Sequence, residues 1–401
     1  MNKLHKYAFS DLYNISSGIS TSKSQAGHGA PFVSFSTVFN NYFLPDELPD
    51  LMDTSEHEQE TYSIKKGDIL ITRTSETVDE LAMSCVALKD YPKATYSGFT
   101  KRLRPKVMGV TYDKFMAFYL RSKYFRRVIN CNTIMTLRAS FNEDIFSFLY
   151  LYLPDYEIQV KIGDFLYNIE RKIQIHNRIN DNLQRMAKTI YDYWFTQFDF
   201  PNENGKPYRS SGGKLVWNEQ LGRNIPRGWE VTSISTYTDI YQPKTISNDL
   251  LDDNYEYYVY GGGGYIGRYQ EYNHKESEVI LSCRGNCGNV YMSMPYSWIT
   301  GNAMVIHPSN HKLTKEYIYH FVQSYGVEKY ISGSVQKQLT RENLSLMPII
   351  VPEKKVLQQF EELIKPYRLR QFQISYENDE LKNLRDWLLP MLMNGQATIT
   401  D

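Results

Sequence analysis

A chain of 401 residues has room for two to four independent cores, and 45 basic against 45 acidic side chains leave it formally neutral. That balance excludes a protein that is basic all over, but it leaves room for one basic face. Four cysteines are too few for a disulfide framework. Cys283 and Cys287 have the wrong spacing for a two-residue metal knuckle, and Cys85 and Cys131 stand alone, so all four read as buried free thiols.

The N-terminus lacks the apolar stretch of a secretory signal, and no run of residues is apolar enough to span a bilayer. A protein of a reducing cytoplasm, without membrane contact, is the expectation. Residues 1–153 read as a mixed α/β unit. Strands are expected at Pro31–Ser36, at Gly67–Arg73 and in the run from Ile145 to Leu153, with a helix from Asp113 to Ile129.

From Ile158 onward, positions at alternating steps of four and three are apolar in nine cases of eleven: Ile158, Ile162, Phe165, Ile169, then the polar Lys172 and His176, then Ile179, Leu183, Met186, Ile190 and Tyr193. The pattern predicts a long helix over 154–200 with one narrow seam, and such a seam wants a second helix against it. Residues 201–228, rich in Gly, Asn, Ser and Pro, read as a linker.

A second globular unit is expected over 229–351. It contains the Gly261–Gly264 run, a strand at Glu278–Arg284, a helix at Thr314–Tyr325 and a strand running into Val351. A second long helix follows over 352–401, with a kink or restart expected at Pro366. Adding 198 to each seam position of the first helix gives Val356, Phe360, Leu363, Tyr367, Arg370, Ile374 and onward to Met391, so the two helices share register.

The repetition extends into the globular units. The stretch ending at Arg73 matches the one ending at Arg284 at an offset of 211, Gly98 matches Gly301 at 203, and Asp113–Ser122 matches Lys315–Ser324 at 202. The expected fold is α+β. Two similar mixed α/β domains are separated by two long antiparallel, coiled-coil-like helices, and a pseudo-twofold relates the halves. Lys172 and Arg370, at one register, are candidate alignment groups. A helix of about 40 residues is roughly 60 Å long, against about 34–36 Å for one turn of B-DNA, so such a pair could hold two readers on one duplex.

The run Tyr193-Trp-Phe-Thr-Gln-Phe-Asp-Phe-Pro-Asn-Glu-Asn-Gly-Lys-Pro-Tyr208, continuing to Ile225-Pro-Arg-Gly-Trp229, resembles the central region of specificity subunits of type I restriction-modification systems. Lys66-Gly-Asp-Ile-Leu-Ile-Thr-Arg73 and Ser332-Gly-Ser-Val-Gln-Lys-Gln-Leu-Thr-Arg341 add to the likeness, which covers the whole chain. One departure is visible: the family's usual Pro-Pro-Leu-x-x-Gln helix start stands here as Pro154-Asp-Tyr-Glu-Ile-Gln159, and in the second copy the Gln falls one later, at Gln358.

The resemblance implies a non-catalytic subunit with two target-recognition domains, each reading half of a split double-stranded DNA site. It further implies two modification (methyltransferase) subunits docked on the helices, joined by restriction (ATP-dependent translocase and nuclease) subunits. No cofactor is expected in this chain; S-adenosylmethionine and ATP with Mg would sit on the partner subunits. A methyltransferase-only or type II-like system and a coiled-coil scaffold with two binding modules are the alternatives. An enzyme in its own right is disfavoured, because the chain has no Pro-Pro dipeptide for a methyltransferase tetrapeptide and no phosphate loop or dinucleotide fingerprint.

Arg and Lys suit phosphates or guanine, Asn and Gln suit adenine, and Ser, Thr and Tyr suit either. The first domain offers Arg73, Thr74, Ser75, Lys101, Arg102, Arg104 and Arg138 as DNA-binding candidates. The second offers Tyr265, Arg268, Arg284, Asn286, Gln336, Lys337, Gln338 and Arg341.

Overall fold

The computed structural model describes residues 4–75, 80–132, 139–284, 287–333 and 337–399. The chain divides into two units, one made of Met1–His176 with Glu377–Asp401 and the other of Asn177–Tyr376. In the first unit, His5–Ala8 pairs antiparallel with Tyr150–Leu153. A four-stranded antiparallel sheet runs in the order Tyr13–Ser17, Thr100–Pro105, Ile69–Thr72, Ser84–Val86. A third sheet places Ala26–Val33 between Asp50–Met52 and a parallel partner, Thr95–Tyr96.

Each of these three arrangements recurs in the second unit. Glu230–Ser233 pairs with Pro348–Val351, and a four-stranded sheet runs Thr238–Tyr241, Ala303–Pro308, Val279–Ser282, Val290–Met292. Tyr257–Gly261 lies between Gly264–Tyr269 and a parallel partner, Trp298–Ile299. The repeat is therefore a repeat of strand pairing, and it corrects one sequence match. Ile69 faces Leu103 and Val279 faces Ile306, so the central strands correspond at an offset of 210. Arg73 is thus equivalent to Cys283, and Arg284 to Thr74.

The same register aligns two buried carboxylates, Asp68 and Glu278, each at the start of its central strand. Arg104 holds Asp68 through two hydrogen bonds of 2.8 and 2.6 Å. In the second unit the position of Arg104 belongs to His307, whose ring lies 2.9 Å from Glu278, and Lys315 brings a cation to 3.0 Å. A charge on a buried strand end needs a partner to offset its desolvation, and each unit supplies one from the neighbouring strand. Both central strands are buried on both faces, as their Ile, Leu and Val runs require.

Several elements differ from their sequence expectation. Residues Phe35–Asn40 are helical because Ser34 accepts the Thr37 N–H at 3.3 Å and caps the turn. The expected strand from Ile145 begins as the helix Glu143–Phe148, capped by Asn142 on the Ile145 N–H, and becomes strand only at Tyr150–Leu153. The helix after Asp113 is two, Asp113–Tyr119 and Lys123–Asn132, with the Ser122 hydroxyl donating to the Tyr119 carbonyl and accepting the Phe125 N–H at the break. The passage read as linker carries the hairpin Leu215–Asn218 with Arg223–Pro226, and Phe200 stacks on both Tyr208 and Trp229.

The long helices span Tyr156–Tyr191 and Lys354–Met393. The second runs unbroken through Pro366, so the expected kink does not end it. Within the first unit, Glu170 pairs with Arg385 at 2.7 Å and His176 Nδ1 lies 2.8 Å from Asn378 Oδ1. Within the second, Gln371 donates to the Asn180 carbonyl at 3.2 Å and Tyr191 meets the edge of Phe360. In both units one number rises as the other falls, so the helix segments run antiparallel. Lys172 is exposed; it lies outside the buried seam and aligns nothing there. Gln159 is buried, with its carbonyl accepting the Tyr112 N–H and its amide donating to Val110 and Pro154. The equivalent residue, Leu357, is buried and apolar.

Candidate nucleic-acid interface

In the second unit, the turns that follow the core strands gather at one end. The Cys283 thiol organises them: it donates to the Asn302 carbonyl at 3.1 Å and accepts from the Gln242 amide at 3.1 Å. Burial pushes this thiol's pKa up, more than the Gln242 bond lowers it, which keeps the S–H available to donate. Gly301 is hemmed in by the backbone oxygen of Pro243; a Cβ there would lie 2.7 Å from it. Gly262 brings the hairpin tip equally close, since a Cβ would meet the Asn302 oxygen at 2.9 Å and the Arg284 oxygen at 3.4 Å. Arg284 bridges to Gln338, and the Leu339 N–H bonds the Cys283 carbonyl.

The result is a rim on which Arg284, Asn302, Lys337, Gln338 and Arg341 are all exposed. Tyr265 projects from the adjoining strand and is half exposed. Arg268, on the same strand, lies over the Tyr258 ring at 4.4 Å and donates to the Glu256 carbonyl at 2.8 Å. Asn286 and Gln336 lie outside the described residues.

The first unit builds the same end with different side chains. Gly98 occupies the place of Gly301, where a Cβ would lie 3.0 Å from the Ile19 oxygen. The Arg73 N–H bonds the Phe99 carbonyl, and the Arg73 carbonyl accepts from Phe141. Arg73 and Phe99 are exposed, Phe99 by 63%. Thr74 is half-buried and Ser75 buried, the latter 3.4 Å from Glu80. Arg138 lies outside the described residues.

The other three first-domain candidates are engaged by partners within the domain. Lys101 is buried, 3.3 Å from Glu143. Arg102 donates to the Ser63 carbonyl and sits over the Tyr96 ring, and Arg104 donates to Ser63 as well as holding Asp68. That pairing raises the pKa of Arg104 above its ordinary value. These three cations stabilise the sheet, whereas Arg73 joins the rim.

Sequence reasoning passed over Phe99 and Asn302. The signal was present in the match between Gly98 and Gly301, for a glycine pinned by a neighbouring backbone fixes the place of the chain that follows it. Among the described residues no cluster of His, Cys, Asp and Glu could hold a metal ion, and no helix is long and apolar enough to cross a membrane.

The model of the type I restriction modification DNA specificity domain matches residues 2–185 and again 226–374. The chain belongs to the type I restriction-modification DNA specificity family. It carries two specificity domains, and the two matches fall on the two copies of the strand arrangement. Among curated proteins this family member is similar to the type I restriction enzyme HindI specificity subunit of Haemophilus influenzae, at 22% identity over 91% of this chain and 94% of that one. It also resembles the MjaIX specificity subunit of Methanocaldococcus jannaschii, at 21% identity over 84% and 79%. A crystal structure of the type I restriction-modification S subunit from M. genitalium shares the fold, with a TM-score of 0.60 at 15% identity over 98% of this chain and 96% of that one.

Proposed function

We propose that this chain is the non-catalytic selector of a bipartite double-stranded DNA site, each of its two domains reading one half through the rim that carries Arg73 or Arg284. The observation that carries this reading is the duplicated rim itself. The backbone plan is the same in both domains, down to a pinned glycine, while the exposed side chains on it differ. A duplicated scaffold with unlike reading groups suits an asymmetric split site. Exposed cations beside exposed amides and an aromatic ring provide for both phosphate and base-edge contact.

The same reading places two modification subunits on the outward faces of the long helices, with the helices setting the gap between half-sites. Restriction subunits complete the nuclease. Methyl transfer and ATP-driven translocation belong to those partners, with S-adenosylmethionine and ATP with Mg bound there. Mapping methylated bases across a host genome with and without this chain tests the proposal. Expected is one bipartite motif that disappears without the chain; methylation that persists unchanged would refute it. Inserting one turn into both long helices should change the gap and leave both half-sites as they were, and an altered half-site with the original gap would refute the spacer role.

A further inference from the structure

The two rims differ at one structurally fixed position, directly after the pinned glycine. Strand register equates Phe99 with Asn302: Thr72 faces Thr100 in the first domain and Ser282 faces Ala303 in the second, so each residue sits one step beyond the paired strands. Both carbonyls are held from equivalent positions, one by a backbone N–H and the other by a thiol. The Phe99 carbonyl accepts from Arg73 and the Asn302 carbonyl from the Cys283 thiol, which stands in the place of Arg73. The Phe99 N–H is also held, by the Ser97 hydroxyl at 3.2 Å. Both side chains are exposed next to a rim arginine.

An exposed phenyl ring gains nothing for the fold by standing in water. Here it is carried on a backbone tied at both N–H and carbonyl, so the place of its Cα is set before any ligand arrives, and pre-organisation lowers the cost of binding. A phenyl ring in the major groove makes apolar contact with the C5-methyl group of thymine, and an Asn side chain pairs two-fold with the N6 and N7 edge of adenine.

We infer that Phe99 and Asn302 are paired specificity-determining residues, Phe99 selecting a thymine in one half-site by its methyl group and Asn302 an adenine in the other by its Hoogsteen edge. The inference rests on the reading of the chain as a DNA selector.

The test uses the full chain assembled with its modification subunits, and synthetic duplexes carrying the motif mapped for the wild type. Appearance of a bipartite motif establishes the DNA-selector reading first, independently of either residue. Phe99→Ala should then relax one position of one half-site from T towards C, and Asn302→Ala one A position of the other half-site, the latter by roughly 5- to 150-fold in discrimination. Atom-level substitution sharpens this. Replacing the thymine by uracil should weaken the wild type about as much as Phe99→Ala does and leave that variant indifferent. Replacing the adenine by 7-deazaadenine should do the same for Asn302→Ala.

Phe99→Leu, which keeps an apolar contact, should retain most of the preference, and the thermal midpoints of all variants should match the wild type. The inference is overturned if each alanine variant keeps its full motif. It is equally overturned if a variant loses affinity for every duplex alike, or if uracil and 7-deazaadenine affect wild type and variants equally.

Discussion

Single atoms decide a good deal here. Gly98 and Gly301 are needed for the room they leave, because a methyl group at either would press on a neighbouring backbone oxygen, at 3.0 Å from Ile19 and 2.7 Å from Pro243. Gly301→Ala should cost about 1–3 kcal/mol by overpacking, and Gly98→Ala, at the longer distance, less. Urea denaturation of the two variants checks the order. His320 supplies a second residue-scale prediction. It is buried between Tyr191, Tyr319 and Phe360, and neither ring nitrogen has a hydrogen-bond partner among the described residues.

Burial, with lesser contributions from Arg368 and Lys188, pushes the pKa of His320 down to about 3. In the unfolded chain the same imidazole takes up its proton near 6.5. Between those values the unfolded state binds more protons, so stability contributed by the neutral ring is intact above about 6.5 and is lost as pH falls toward 3. At pH 4.5 the loss should be about 2–3 kcal/mol relative to pH 7. His320→Phe should remove that part of the acid sensitivity, as urea midpoints at the two pH values would show.

At the scale of elements, the seam of the first long helix separates what was legible in the sequence from what was not. A strict repeat of 3.5 predicts Ile162, Phe165, Ile169, Lys172 and His176, whereas the buried residues are Ile162, Leu166, Ile169, Ile173 and His176. The two sets share alternate members and differ in whether the short step precedes the long one. The resolution is chemical: burying position 172 would bury a lysine, while 173 offers an isoleucine. Phe165 is consequently 37% exposed.

Ile173→Asp should cost more than about 3 kcal/mol and Phe165→Glu less than about 1, a contrast that chemical denaturation would reveal and that the 3.5-residue reading would invert. Buried His176 and Asn378 hydrogen-bond each other in the same seam. Replacing Asn378 by Leu should cost about 1–3 kcal/mol through loss of this buried bond, which chemical denaturation of the variant measures.

Repetition was legible because it is written in glycines, prolines and apolar spacing, and those survive as pattern. The one-residue slip between Arg73 and Arg284 was not, because similar side chains after similar strands attract a match that only hydrogen-bonded register can reject. The inward use of Lys101, Arg102 and Arg104 was hidden for a related reason. A basic residue on an alternating strand looks the same in sequence whether solvent or a buried carboxylate such as Asp68 faces it. The hairpin at 215–226 was missed because Gly and Asn mark tight turns as readily as loose linkers.

On the scale of the whole chain, the first unit is discontinuous: Leu389, Leu392 and Met393 belong to the same core as Phe9, Phe115 and Phe118. A chain ending at Tyr376 would lose those three side chains and the Arg385 partner of Glu170. It should destabilise the first unit by more than about 5 kcal/mol, although no residue of 1–176 is changed. Hydrogen exchange resolved by peptide would show protection lost over 1–176 and kept over most of 177–376. Equal loss in both units would refute this division of the core.

Synthesis turns that discontinuity into an order of events. A ribosome adding about 5–20 residues per second has made all of the second unit before it makes residue 377. For roughly ten to forty seconds the earlier unit must wait outside the exit tunnel with part of its core uncovered, which makes it the substrate for chaperones and the first place for nascent chains to aggregate. The later-made half should therefore mature first. On ribosomes stalled so that Tyr376 has just emerged, brief proteolysis should spare 177–376 and cleave 1–176, and only release of the final residues should make both resistant.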